Sequence, residues 1–150
     1  MTTLANCPLC QSNAEDVLWR SSQLRVIAVN DSDHPGFTRV IWNGHVSEMT
    51  ELGPQQRHEL MQAVWAVERV QRQILQPDKV NLAALGNVVP HLHWHVIPRW
   101  MVDTHFPEPI WAAPPSRTVA DQQAWQERRA AISAQLAAYR DALQAALAVL

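Results

Sequence analysis

Residues 86–99 read GNVVPHLHWHVIPR, and within them His91, His93 and His95 alternate with Leu92, Trp94 and Val96. Side chains alternate faces along an extended strand, so the spacing predicts one strand with an imidazole face and an apolar face. Imidazoles at steps of about 7 Å on one side of a sheet are costly to bury without partners, which argues against a purely structural role. Two chemistries suit such a track. Alternate strand histidines can share a metal ion. A neutral imidazole can also attack phosphorus near pH 7 without prior deprotonation, forming a P–N bond that is readily hydrolysed again.

Working outward, Val80–Leu85 is a second strand candidate, joined to the histidine strand through the turn-forming pair Gly86-Asn87. Before it, Pro54 suits a first helical turn, and Leu60, Val64, Val67, Val70 and Ile74 recur at three and four until Pro77, which predicts an amphipathic helix of about five turns. Earlier still, Val17–Trp19, Leu24–Val29 and Phe37–Trp42 are short β-like runs separated by turn residues, a small antiparallel meander. Downstream, residues 100–115 are rich in proline and tryptophan without a period, which predicts an ordered loop. A capping box at Thr118–Asp121 then opens a run whose Ile132, Leu136, Tyr139, Leu143, Leu147 and Leu150 predict one long C-terminal helix. The expected architecture is α+β: about five antiparallel strands, a central amphipathic helix and a long C-terminal helix, in one domain over 1–150. Residues 1–15 form an N-terminal segment, and 100–150 a loop and helix extension.

With 150 residues and a formal net charge of -2, the chain has no composition for gripping nucleic acid or anionic membrane. The N-terminal stretch lacks the basic and apolar regions of a secretion signal, and no apolar run reaches membrane-spanning length, so a cytoplasmic location is expected. Cys7 and Cys10 form a C-x-x-C pair, which in a reducing compartment suggests half a zinc site or a redox motif; the absence of a following βαβ pattern disfavours the latter. His34, His58 and His105 read as surface histidines, with a role at the rim of the site left open for His34 alone. Trp65 and Trp125 lie in helical patterns and read as packing residues, as do Trp100 and Trp111, although the last two could flank a base or leaving group. Arg99 could balance phosphate charge, or be a solvated or paired cation.

The segment HLHWHVI at 91–97 resembles the His-x-His-x-His-x-x signature of the histidine triad (HIT) superfamily of nucleotide hydrolases and transferases, with Gly86 upstream and Pro98-Arg99 after it also similar. The resemblance runs through roughly residues 16–100. It implies double displacement at the α-phosphate of a purine nucleotide or nucleotide conjugate. His93 would be the nucleophile, His95 a donor to a non-bridging or leaving-group oxygen, and His91 a support that orients His93. By the same resemblance Asn30 or Asp31 contacts ribose, Asn81 lies by the α-phosphate, and the backbone at Gly86 and Asn87 cradles phosphate oxygens. No catalytic cofactor is expected. Cys7, Cys10, His45 and His91 match the set that binds a structural zinc in some branches, and a homodimer is implied. Val88 departs from the family, many of whose members carry Ser or Thr there. The competing expectations are a nucleotide-sensing protein with little turnover and a metal hydrolase with His91, His93 and His95 as ligands.

Overall fold

Five short segments pair into one antiparallel sheet in the computed structural model, which describes residues 3–11 and 14–150; Met1, Thr2, Ser12 and Asn13 of the N-terminal segment lie outside the described residues. The strands are β1 (Asp16–Arg20), β2 (Leu24–Ala28), β3 (Thr38–Trp42), β4 (Lys79–Ala83) and β5 (His93–Arg99), in the order β1-β2-β3-β5-β4. The three early strands form the expected meander, and β5 enters between β3 and β4. Residues 84–92 connect β4 to β5, so Gly86-Asn87 sits in a longer loop rather than a tight hairpin.

One face of the sheet carries Leu18, Val26, Val40, Val80 and Val96 into the core. Helix α1 (Pro54–Val70) covers it with Leu60, Val64, Val67 and Val70, all buried. Proline at its first turn needs no hydrogen-bond donor there. The helix continues as a π turn over Gln71–Leu75, whose extra residue shifts the apolar stripe by one position: Leu75 is fully buried, and the expected Ile74 only partly. The shift also turns Gln71 inward, where its amide donates to the carbonyls of Gly36 and Val96, each at 3.0 Å. Gly36 has φ +84, and a Cβ there would stand 2.5 Å from Leu75 Cδ1, so both backbone and space demand glycine.

The C-terminal run is two helices, α2 (Val119–Ser133) and α3 (Leu136–Leu147), where a single one was expected. Their apolar residues serve different surfaces. Trp125 on α2 packs on Trp100, while Tyr139, Leu143 and Leu147 on α3 are buried beside α1 and β1. A bend at Ala134-Gln135 lets one amphipathic run follow both. The capping box holds, with Thr118 Oγ1 accepting from the Asp121 amide. Trp65, read as a packing residue, is 43% exposed, and His34, read as a surface residue, is only 2% exposed.

Candidate active site

The histidines lie on the sheet face opposite α1. Cross-strand register sets their neighbours: Ile41 is opposite His93, Arg39 and Ala83 flank His95 from either side, and Asn81 is opposite Ile97. All three histidines are buried, with His93 8% and His95 5% exposed.

The hydrogen bonds assign the tautomers, because a backbone carbonyl can only accept. His93 Nδ1 lies 2.5 Å from the His91 carbonyl and must carry the proton, which leaves the lone pair on Nε2. That Nε2 has no partner among the described residues and is not enclosed. His95 Nδ1 accepts from Arg39 Nε at 3.3 Å, so its proton is on Nε2. The two rings stand edge to face with centres 4.7 Å apart, so a free acceptor and a free donor sit side by side. Burial lowers the basicity of His93 despite its bond to the His91 carbonyl, with the Arg39 charge adding to the effect. Burial, then His93 and Arg39, hold His95 down to about 3. Both imidazoles are neutral at pH 7.

His91 is turned the other way. Its Nε2 donates to the Trp42 carbonyl at 2.6 Å, which leaves Nδ1 unprotonated, 3.4 Å from Cys7 Sγ and 3.5 Å from Cys10 Sγ. His45 Nδ1 is 3.5 Å from Cys10 Sγ, and the four ligand atoms all lie within 4.8 Å of one another. Tetrahedral coordination at ordinary Zn–S and Zn–N lengths puts ligand atoms roughly 3.3–3.8 Å apart, and a carbonyl fixing the tautomer of a ligating imidazole is the usual outer support. The donor set therefore fits zinc. Because His91 faces the thiols, His91, His93 and His95 do not converge on one point, which corrects the metal-hydrolase expectation. Arg25 pins the cysteine segment to the sheet, binding both carboxylate oxygens of Glu15 at 2.6 and 2.7 Å and the Leu9 carbonyl at 2.8 Å.

The loop after β5 covers this face. Arg99 is neither solvated nor open to phosphate: it is buried against Asp103 through Nε–Oδ2 at 2.7 Å and Nη2–Oδ1 at 3.0 Å, and it also donates to Asn81 Oδ1 and the Glu108 carbonyl. Asn81 Oδ1 is thereby occupied, and its NH2 group remains to donate. Trp111 lies edge-on to His95 at 5.0 Å, half exposed, and with Asn81, Ala83 and Leu85 it lines a cavity of about 730 Å³. Trp100 is buried packing, as read.

The structure places Asn30 and Asp31 beside Gly36 and the α3 residues Leu136 and Tyr139, in a cavity that none of the three histidines lines. Asn30 is exposed, whereas the Asp31 carboxylate accepts from the amides of Asp33 and His34 and so shapes its own turn. Gly86 has φ +92 in a loop whose Asn87 is exposed and whose Val88 is 93% exposed. Sequence reading missed Arg39 and Asp103. Arg39 had a signal, being the single charged residue in the strand-like run Phe37–Trp42. Asp103, four residues from Arg99 in an irregular segment, had none.

The family model of the HIT domain matches residues 11–101. The AP-4-A phosphorylase of Mycobacterium tuberculosis is 33% identical over 79 residues, which span 49% of this chain and 40% of that protein; the match thus covers less than half the length of this curated relative. Among solved structures, a histidine triad protein from Bradyrhizobium japonicum is similar with TM-score 0.60 and 27% identity over 77% of this chain and 90% of its own. Another from Marinobacter aquaeolei VT8 has TM-score 0.60 and 29% identity over 78% and 88%.

Proposed function

The chain belongs to the HIT domain family, and from that premise we propose that it is a nucleotide hydrolase or nucleotidyl transferase acting through a covalent nucleotidyl-histidine on His93. The observation that carries this reading is the pairing of a free lone pair on His93 Nε2 with the free N–H of His95 Nε2. His93 Nε2 attacks the α-phosphorus, forming a P–N bond as the bond to the leaving atom, oxygen in an anhydride or nitrogen in a phosphoramidate, breaks with its electron pair on that atom. His95 donates to a phosphoryl oxygen as charge develops. His91 acts through its backbone carbonyl, which holds the His93 ring in the attacking tautomer. Water or another hydroxyl acceptor then attacks the phosphorus, the P–N bond breaks with its electron pair returning to His93 Nε2, and the acceptor's proton passes to the departed leaving group or to solvent, which restores neutral His93.

Asn30 suits the ribose hydroxyls better than Asp31, since its amide is uncommitted among the described residues while one oxygen of the Asp31 carboxylate already accepts from two amides of its own turn. The Asn81 NH2 group, steadied by Arg99, and the backbone at Gly86 and Asn87 are suited to phosphate oxygens. A purine nucleotide or nucleotide conjugate is the proposed substrate class. Cys7, Cys10, His45 and His91 would hold a structural zinc, which supplies a closed cross-link between the N-terminal segment and the catalytic strand. What supports a homodimer is the outer edge of β4, unpaired among the described residues, with Leu82 on the strand and Leu85 just beyond it both exposed. A reducing, cytoplasmic setting fits the two free thiols, and no helix among the described residues is long and apolar enough to cross a membrane.

Intact mass after acid quench tests the proposal, using wild type and His93→Ala with a dinucleoside polyphosphate and an adenosine phosphoramidate. One added nucleotidyl group on wild type alone supports it. Binding without modification of folded wild type would replace it with the sensing function.

A further inference from the structure

Strand β3 reads Thr38-Arg39-Val40-Ile41-Trp42, and backbone pairing places Arg39 directly opposite His95. The guanidinium is thus delivered to the active-site face by the sheet rather than by a loop. Its Nε donates to His95 Nδ1 at 3.3 Å, and its central carbon stands 5.6 Å from the centre of the Phe37 ring. Neither Nη atom has a hydrogen-bond partner among the described residues, and neither is enclosed. Burial disfavours the charge of Arg39, and the carboxylate that opposes this effect, Glu15, has both oxygens engaged by Arg25. A half-buried guanidinium with two free donor groups and no carboxylate of its own is arranged to receive an anion from solution.

His95 indicates which anion. With a cation bound at Nδ1, His95 has one proton to offer as a hydrogen bond and no means of holding a second, so it does not act as an acid toward the leaving group. An amine expelled from a phosphoramidate needs that proton. A phosphate expelled from an anhydride does not, because it departs as a stable anion.

Resting on the nucleotidyl-transfer reading above, we propose that Arg39 binds a non-bridging oxygen of the leaving group's first phosphate and so selects nucleoside polyphosphates over phosphoramidates. As the P–N bond to His93 forms, the P–O bond to that phosphate breaks with its electron pair on the departing oxygen. Arg39 balances the charge that arrives there.

The test compares the full chain as wild type, Arg39→Met and Arg39→Lys, each checked for folding by circular dichroism. kcat/KM is measured with diadenosine tetraphosphate and with adenosine 5′-phosphoramidate, and binding of tripolyphosphate is measured by calorimetry. Loss of one charge-assisted contact predicts that the preference for the tetraphosphate falls about 10- to 100-fold in Arg39→Met, with partial recovery in Arg39→Lys. Tripolyphosphate affinity should fall alongside it. Equal losses on both donors, or unchanged tripolyphosphate binding, would overturn the proposal. If wild type turns over neither donor, the nucleotidyl-transfer reading fails, and the tripolyphosphate comparison still decides whether Arg39 is an anion site.

Discussion

Replacing Asp103 by alanine should be among the most damaging single changes in this protein, although Asp103 belongs to an irregular loop. In the native chain Arg99 and Asp103 are each 1% exposed and share two hydrogen bonds. The same carboxylate accepts from the amides of Trp100, His105 and Phe106 at 3.1, 2.9 and 2.8 Å. Asp103→Ala leaves a buried guanidinium with only the Asn81 and Glu108 oxygens and removes the acceptor from three amides. Breaking a buried pair by removing one partner costs about 3–5 kcal/mol, and we expect a loss in that range because loop rearrangement lets water reach some of the freed amides. Urea unfolding should show a lower midpoint at unchanged slope. The double variant Arg99→Met/Asp103→Leu removes both charges and should lose at least about 1 kcal/mol less than the single one. The pH dependence adds a check. Burial opposes ionisation of Asp103, but the Arg99 hydrogen bonds and charge, with the amides of His105 and Trp100, outweigh it and keep the carboxyl below its usual range. With the folded value below the unfolded one, this stabilisation is complete above roughly pH 4 and is lost as pH falls through the folded value. Wild type should lose stability there more steeply than Asp103→Ala. A loss under about 1 kcal/mol for Asp103→Ala, or a double variant no better than the single, would refute this account of the loop.

Gly36→Ala forces a side chain into a positive-φ position and against Leu75, and should cost about 2–4 kcal/mol by urea unfolding; a neutral result would mean that the π turn yields easily. For the zinc proposal, purified protein should carry about one zinc per chain by elemental analysis. Cys10→Ser should lose that metal and melt at a lower temperature, while a zinc-free, reconstitution-resistant wild type would discard the site. Tyr139→Phe removes the 2.7 Å hydrogen bond to Thr38 Oγ1 in the core, leaving that hydroxyl only its bond to the Gly36 carbonyl, and should destabilise by about 1 kcal/mol, measured as a midpoint shift.

Features set by local chemistry were legible from the chain itself. The alternation of His91, His93 and His95 encodes a strand face, and the spacing from Leu60 to Val70 encodes a helix stripe, because both periods follow from backbone geometry. Features set by contacts distant in sequence were not. The bend at Ala134-Gln135 lies among good helix formers and exists because α2 and α3 pack on different surfaces. The π turn answers to Gly36 and Val96, far away in the chain. Arg39 carries an obvious charge, yet its partner His95 is 56 positions on and is found only through strand register. His45 and His91, which the family resemblance grouped with the two cysteines, have ligand atoms within 4.8 Å of theirs, a contact that no local pattern encodes.

The loop over the histidines is held largely through its main chain: Arg99 bonds the Glu108 carbonyl, and Arg117 bonds the carbonyls of Asp103 and Phe106. Those clamps read backbone shape and are indifferent to the side chains displayed between them. Glu108, Pro109 and Trp111 are exposed, and Pro109 and Trp111 line the cavity next to Ala83, so this rim can be rewritten at those positions while its anchors stay the same. Drift in a lineage, or a combinatorial library at the bench, can thus retune what this surface admits without renegotiating the fold beneath it.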